Sequence, residues 1–255
     1  MISVCMSTFN GERFLKTQID SILSQLQNND ELIISDDGST DATLDIIASY
    51  SDNRIQLLHH NKTKQKYTFS YTTANVKNAL KHAKGDVIFL ADQDDVWLPN
   101  KVSTMLEYCR DYDLVLADCV DVDKELHPIC DSHFKLYNAK IGFWHNFRGP
   151  CCYLGANMCF KRELMDKFMD IPNSVPHDLW IGIIANLKGS MCLVSEKTML
   201  YRRHDANVSA INNKVFKEIA SDQNQNLRRN HHSFFFKLKY RWDILYQLSK
   251  KLIFH

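Results

Sequence analysis

Three carboxylates, Asp92, Asp94 and Asp95, lie within four residues of one another in the segment Phe89-Leu90-Ala91-Asp92-Gln93-Asp94-Asp95-Val96-Trp97. They follow the apolar run Val87-Ile88-Phe89-Leu90 directly. An apolar run cut off by acids reads as a buried strand that delivers its C-terminal end to a site. Clustered carboxylates repel one another unless a cation or hydrogen-bond donors offset the charge. The chemistry that suits them is a hard divalent cation, Mg²⁺ or Mn²⁺, held by one or two carboxylates plus the phosphates of a substrate. A single such motif could equally be a solvated polar turn. A second acidic strand end, Glu31-Leu32-Ile33-Ile34-Ser35-Asp36-Asp37-Gly38-Ser39-Thr40-Asp41, weighs against that reading.

Strands must bring these acids together. The first, over 2–8, closes on Asn10-Gly11; others are expected over 32–35, 55–58, 87–90 and 114–117. Helical patterns over 12–26, 42–50, 72–83 and 99–112 alternate with them, with Ser39 or Thr40 as a cap for the second and Pro99 opening the fourth. This alternation predicts an α/β fold with a mostly parallel, Rossmann-like sheet flanked by helices. Right-handed crossovers gather the strand ends on one edge, where ligands of open α/β sheets bind. Residues 118–152 lack a regular pattern and are expected to be irregular.

The ordered series Ser7-Thr8-Phe9-Asn10-Gly11, Ser35–Asp41, Gly85-Asp86 and Asp92-Gln93-Asp94-Asp95-Val96-Trp97 resembles the family 2 inverting glycosyltransferases of the GT-A fold. The bacterial enzymes that build O-antigen and capsule are the most similar, including those described as rhamnosyltransferases. The resemblance covers 1–210, divided into a nucleotide-sugar half (1–117) and an acceptor half (118–210). It implies that Thr8, Asn10 and Asp37, with Asp36 adjacent, face the nucleotide base. Asp92 would approach the ribose, Asp94 would hold the metal, and Asp95 would touch the metal or order the loop. Asp36 and Asp37 could instead serve the dipole of the following helix.

An inverting transfer also needs a carboxylate that deprotonates the acceptor hydroxyl. Asp178, in Val175-Pro176-His177-Asp178-Leu179-Trp180, fills the place where the family carries a Glu-Asp or similar pair; His177 is the departure. Asp178 as a mere N-cap is the competing reading. The segment Gly155-Ala156-Asn157 matches a small-residue strand beside the acceptor; a bulge or close packing at Gly155 is the alternative. Tyr201–Ser209 looks like the family's C-terminal loop, in which His204 would complete the metal shell and Arg202 or Arg203 would pair with phosphate. Lys62, Lys64 and Lys66 either steer a diphosphate or stand in solvent.

The resemblance implies transfer of a hexose from UDP-glucose or UDP-galactose to a polyprenyl-diphosphate-linked sugar, with dTDP-rhamnose as the alternative donor. A nucleotidyltransferase would want a Gly-rich, basic first loop, and 7–13 offers only Gly11 and Arg13. A non-catalytic membrane-docking module of the same fold is the other class. The formal net charge of +1 gives no reason to expect nucleic acid as a partner. The eight cysteines form no Cys-x-x-Cys pair, which argues against zinc. The N-terminus shows no signal-peptide pattern, so the chain is expected in the cytoplasm with free thiols. Residues 211–255 read as a helical basic tail. From Arg228 to Lys251 seven basic residues stand against Asp243 alone, interleaved with aromatic residues. That mixture suits an anionic membrane surface and a peripheral place at the inner face of the membrane; packing on the domain is the alternative.

Overall fold

The computed structural model describes residues 1–148, 151–205, 207 and 234–253. The apolar runs form strands β1 (Ile2–Thr8), β2 (Glu31–Asp36), β3 (Ile55–His59), β4 (Val87–Asp92), β5 (Val96–Trp97), β6 (Leu114–Val122), β7 (Pro128–Cys130), β8 (Met158–Lys161) and β9 (Met191–Arg202). They join in one sheet of order β3-β2-β1-β4-β8-β6-β9-β5, with β7 added to β6. β3, β2, β1 and β4 are parallel. β8 inserts antiparallel between β4 and β6, β9 runs parallel to β6, and β5 closes the edge antiparallel to β9.

Helices α1 (Leu15–Leu23), α2 (Thr43–Ala48) and α4 (Lys101–Tyr108) cover one face; α3 (Thr68–Leu80), α7 (Arg162–Phe168) and α8 (His177–Lys188) cover the other. The two-residue period of the strands divides the core accordingly. Val4, Met6, Leu32, Ile34 and Phe89 pack toward α1 and α4, whereas Cys5, Ile33, Ile88 and Leu90 pack toward α3 and α8. Strands buried on both faces explain why β2 and β4 read as apolar runs and not as alternating ones.

Three expectations need correction. Helix α1 starts at Leu15, not near 12, because the Glu12 carboxylate instead accepts the Ala42 amide at 2.9 Å. Ser39 does not cap α2; its hydroxyl donates to Asp36 Oδ1 at 2.5 Å. The stretch 118–152 is regular in part, with loops between short elements. β6 continues to Val122 because its acids are neutralised inside the fold: Asp118 by Lys197 at 2.5 Å, Asp121 by Arg203 and His133 at 3.0 Å each. Helices α5 (His133–Tyr137) and α6 (Phe143–Arg148) follow.

The last helix, α9 (Phe234–Ile253), sends Ile244 and Leu248 into the same core cluster as α8. Through these two residues α9 packs on the domain; 206 and 208–233, including Ser209 of the expected loop and the first part of the tail, lie outside the described residues. No described helix is long and apolar enough to cross a membrane.

Candidate active site

Parallel register brings the strand ends side by side. Thr8 pairs with Asp36 across β1–β2, and Ser7 with Asp92 across β1–β4. Buried Asp36 is consumed by its own loop. It accepts the Gly38 and Ser39 amides at 3.0 and 2.8 Å and the Thr8 hydroxyl at 3.0 Å. Asp36 and Thr8 thus shape the loop, and Asn10 joins them by accepting the Thr40 amide at 2.8 Å. Asp37 is the acid that these contacts present. Its carboxylate meets His60 Nδ1 at 2.7 Å and Lys62 Nζ at 3.4 Å. Lys62 also lies 3.5 Å from the ring centroid of Phe9, so this exposed lysine packs against the turn that follows β1.

Gln93 ties that turn to the acidic segment. Its amide accepts the Phe9 N–H at 2.8 Å and donates to the Phe9 carbonyl at 3.1 Å. A Cβ at Gly11 would sit 2.4 Å from Gln93 Oε1, so glycine leaves room for this clasp. Asp92, Asp94 and Asp95 then bring one carboxylate oxygen each to within 4.8 Å of one another. Asp94 Oδ2 lies 2.7 Å from His204 Nε2 and accepts from Asn207 Nδ2 at 3.0 Å. Buried Asp95 accepts the Arg202 amide through Oδ1 at 2.9 Å, while its Oδ2 is buried without any hydrogen-bond partner. An orphaned carboxylate oxygen beside two further carboxylates and a histidine is a donor set that fits a divalent cation. Asn207 carries no sequence signal by itself; its role appears only once β9 has folded back beside β5.

Electrostatics agree. Burial, then the charges of Asp94 and Asp178, pushes Asp92 up to about 7. Burial with the charges of Asp94 and Asp92 raises Asp95 well above the usual carboxylate range. Both acids hold protons in the native chain that the unfolded chain would release, so this contribution falls as pH rises from about 4 through 7. Chelated protein is expected to melt about 5 °C lower at pH 8 than at pH 6, with Mn²⁺ restoring more of the difference at pH 8. Thermal melts of wild type and Asp92→Asn check this; the variant should lose much of the pH dependence.

Arg202 and Arg203, the expected phosphate partners, already have partners inside the fold. Both are buried. Arg202 Nε donates to the Asp94 carbonyl and Nη1 to the Lys124 carbonyl, each at 2.6 Å, and its guanidinium stacks 4.4 Å from the Phe14 ring. Arg203 pairs with Asp121 on the far side of β6. Buried guanidinium groups need partners inside the fold, and here the backbone and Asp121 supply them. Together they fix the end of β9, so that the His204 ring lands against Phe14 with centroids 4.9 Å apart.

Asp178 opens α8, where its Oδ1 accepts the Leu179 amide at 2.7 Å. Burial raises its pKa, and the adjacent His177 opposes the rise. The helix is held from behind by α3: Thr73 Oγ1 donates to the Val175 carbonyl at 3.3 Å and Lys77 Nζ to the Ile171 carbonyl at 2.7 Å. Gly155 forms the facing wall. A Cβ there would lie 2.8 Å from His177 Nε2, so glycine is required by close approach and not by a bulge. Gly155→Ala is expected to displace the His177-Asp178 pair and lower turnover by about 10²-fold, the usual cost of a misplacement near 1 Å. Steady-state kinetics alongside an unchanged melting temperature would check it.

Lys101 completes the frame. Its buried ammonium donates to Asn157 Oδ1 at 2.6 Å and to the Ala156 carbonyl at 3.1 Å, tying α4 to the turn that carries Gly155. Burial lowers its pKa to about 8. Neither Lys101 nor Asn157 was readable as a linker, because their partners lie more than 40 residues away.

Known proteins share this arrangement. Residues 3–167 match glycosyl transferase family 2. The chain is 35% identical over 107 residues to the Escherichia coli UDP-Glc:alpha-D-GlcNAc-diphosphoundecaprenol beta-1,3-glucosyltransferase WfgD, covering 42% of this chain and 40% of that enzyme. Among solved structures, residues 1–349 of S. aureus TarS in complex with UDP-GlcNAc superpose with a TM-score of 0.62 at 19% identity, covering 86% of this chain and 64% of that one. The Pyrobaculum calidifontis mannosyltransferase PcManGT, in complex with GDP-Man and Mn²⁺, gives a TM-score of 0.56 at 19% identity, covering 79% of this chain and 56% of that one. The chain thus spans less than two thirds of each of these proteins. With its strand-end acids, curled mostly parallel sheet and matched sequence, the chain has the GT-A fold and belongs to glycosyl transferase family 2.

Proposed function

We propose that this glycosyltransferase moves a hexose from UDP-glucose or UDP-galactose to a sugar carried on a polyprenyl diphosphate, with inversion, in surface polysaccharide synthesis. The observation that carries this reading is the nearness of Asp178 to the acidic cluster: Asp178 faces Gly155, whose turn leads into β8 beside β4, the strand that ends in Asp92, and its charge helps raise the pKa of Asp92. A donor seated on Asp37 and Asp92 would then have its anomeric carbon facing Asp178. The WfgD match supports the donor and acceptor class.

Asp94, Asp95 and His204 are the residues that would hold Mn²⁺ or Mg²⁺. A bound divalent cation supplies charge neutralisation for a diphosphate leaving group. The protein residues do the rest. Asp37 receives the base, the Gln93 clasp keeps the donor turn in register with the acidic segment, and Asp178 accepts the acceptor hydroxyl proton. A carboxylate raised by burial is a stronger base than one in water, which suits the task. Single displacement on an α-linked donor gives a β-linkage. A lipid-linked acceptor places the work at the cytoplasmic face of a membrane.

The deciding experiment incubates the protein and Mn²⁺ with a panel of nucleotide sugars and a synthetic lipid-diphosphate-GlcNAc. Turnover of UDP-glucose or UDP-galactose to a β-linked product, read by NMR, is expected. Turnover of dTDP-rhamnose alone would overturn the donor assignment, and an α-linked product from a UDP-hexose would overturn inversion.

A further inference from the structure

We infer that α9 and α6 together form a bilayer-docking face, with Trp144, Trp242, Tyr246 and Lys250 seated among anionic headgroups. The inference rests on the reading that the acceptor is carried on a lipid. Helix α9 has two sides in its described residues. Ile244 and Leu248, four apart, enter the core beside α8. Trp242, Tyr246 and Lys250, also spaced by four, form an outward stripe. Trp242 is 68% exposed and Tyr246 57%.

Helix α6 continues the face. Phe147 of α6 is buried beneath the guanidinium of Arg241, 5.6 Å from its ring centroid, so the two helices are neighbours. One turn earlier on α6, Trp144 is 58% exposed, and Ile141 just before the helix is exposed as well. The exposed set is therefore tryptophan, tyrosine and aliphatic residues. These are side chains with an apolar body and, in the aromatic ones, a polar tip, the kind that settles at headgroup level.

Charge selects the occupant. Lys250 lies over the Tyr246 ring at 4.5 Å. Exposed Lys140 directly precedes Ile141, so the described part of the face carries basic side chains beside both helices. A second copy of this chain would bring the same positive charge to the face, whereas an anionic lipid surface brings the opposite one. The position is also apt: α9 and α8 share one core cluster, and α8 carries Asp178, so the face flanks the half that takes the acceptor.

Tryptophan fluorescence can test this with the full chain. Trp97 and Trp180 are buried, which leaves Trp144 and Trp242 as the exposed reporters. Phosphatidylglycerol vesicles containing brominated lipid should quench the protein at low salt, and the quenching should weaken as salt screens the attraction. Replacing Trp144→Ser and Trp242→Ser together, which removes both reporters, should lower vesicle affinity by about tenfold or more, read by vesicle co-sedimentation. Lys250→Glu should lower it too, while all variants keep wild-type turnover of a soluble acceptor analogue. Three results would overturn the inference: no binding of the wild type at low salt, equal binding by the double variant, or self-association that Trp242→Ser abolishes without vesicle binding. Vesicle binding by a protein that turns over no lipid-linked acceptor would refute the acceptor reading and leave the docking face intact.

Discussion

Asp94→Ala protein is expected to fold normally and to lose transfer by about 10³-fold or more, the scale of several kcal/mol of leaving-group stabilisation. The side chain of Asp94 touches His204 and Asn207 through one oxygen, while its backbone carbonyl, which anchors Arg202, is retained in the variant. The loss should therefore fall on the cation and not on the core. Direct Mn²⁺ titration should show weakened binding at an unchanged melting temperature, and EDTA should silence the wild type until Mn²⁺ or Mg²⁺ is returned. Full wild-type turnover in EDTA would remove the metal from the mechanism.

Asp178→Asn is expected to lower turnover by about 10² to 10⁴-fold with little change in donor affinity, because a general base contributes on that scale. The asparagine oxygen can still accept the Leu179 amide, so the start of α8 should survive. Loss of the raised carboxyl should also remove the acidic limb that Asp178 imposes on the pH–rate profile, a limb lying above the ordinary carboxylate range. A variant within about threefold of wild type would be too active for a missing base.

Much of the donor half could be read in the sequence because its signals are local. β1, β2 and β4 each announce themselves as an apolar run, and each ends where small or acidic residues begin. The rest depended on distant pairings. Asp36 and Asp37 look alike in sequence, yet one is absorbed by the Gly38 and Ser39 amides while its neighbour faces His60. Arg202 and Arg203 look like phosphate ligands until β6 and the 124 carbonyl are seen to claim them. The aspartates of β6 disguised a strand as a loop because Lys197, Arg203 and His133, their partners, come from other elements. Charge inside a strand misleads when its counter-charge is remote in the chain.

The pairing of His204 with Asp94 spans 110 residues. Chains are made from the N-terminus, so the turn after β1, the acidic segment and Asp178 all emerge before His204, which follows β9. During synthesis the acidic cluster must wait, crowded with like charge, for β9 to slide in beside β6 and β5. The contact between Asp94 and His204 can therefore form only late in synthesis, with α9 still to follow. A nascent or clipped chain ending short of His204 would own every acid of the cluster and still lack the His204 and Asn207 side chains that meet Asp94. On the proposed reading, catalytic competence would arrive late in the making of the polypeptide.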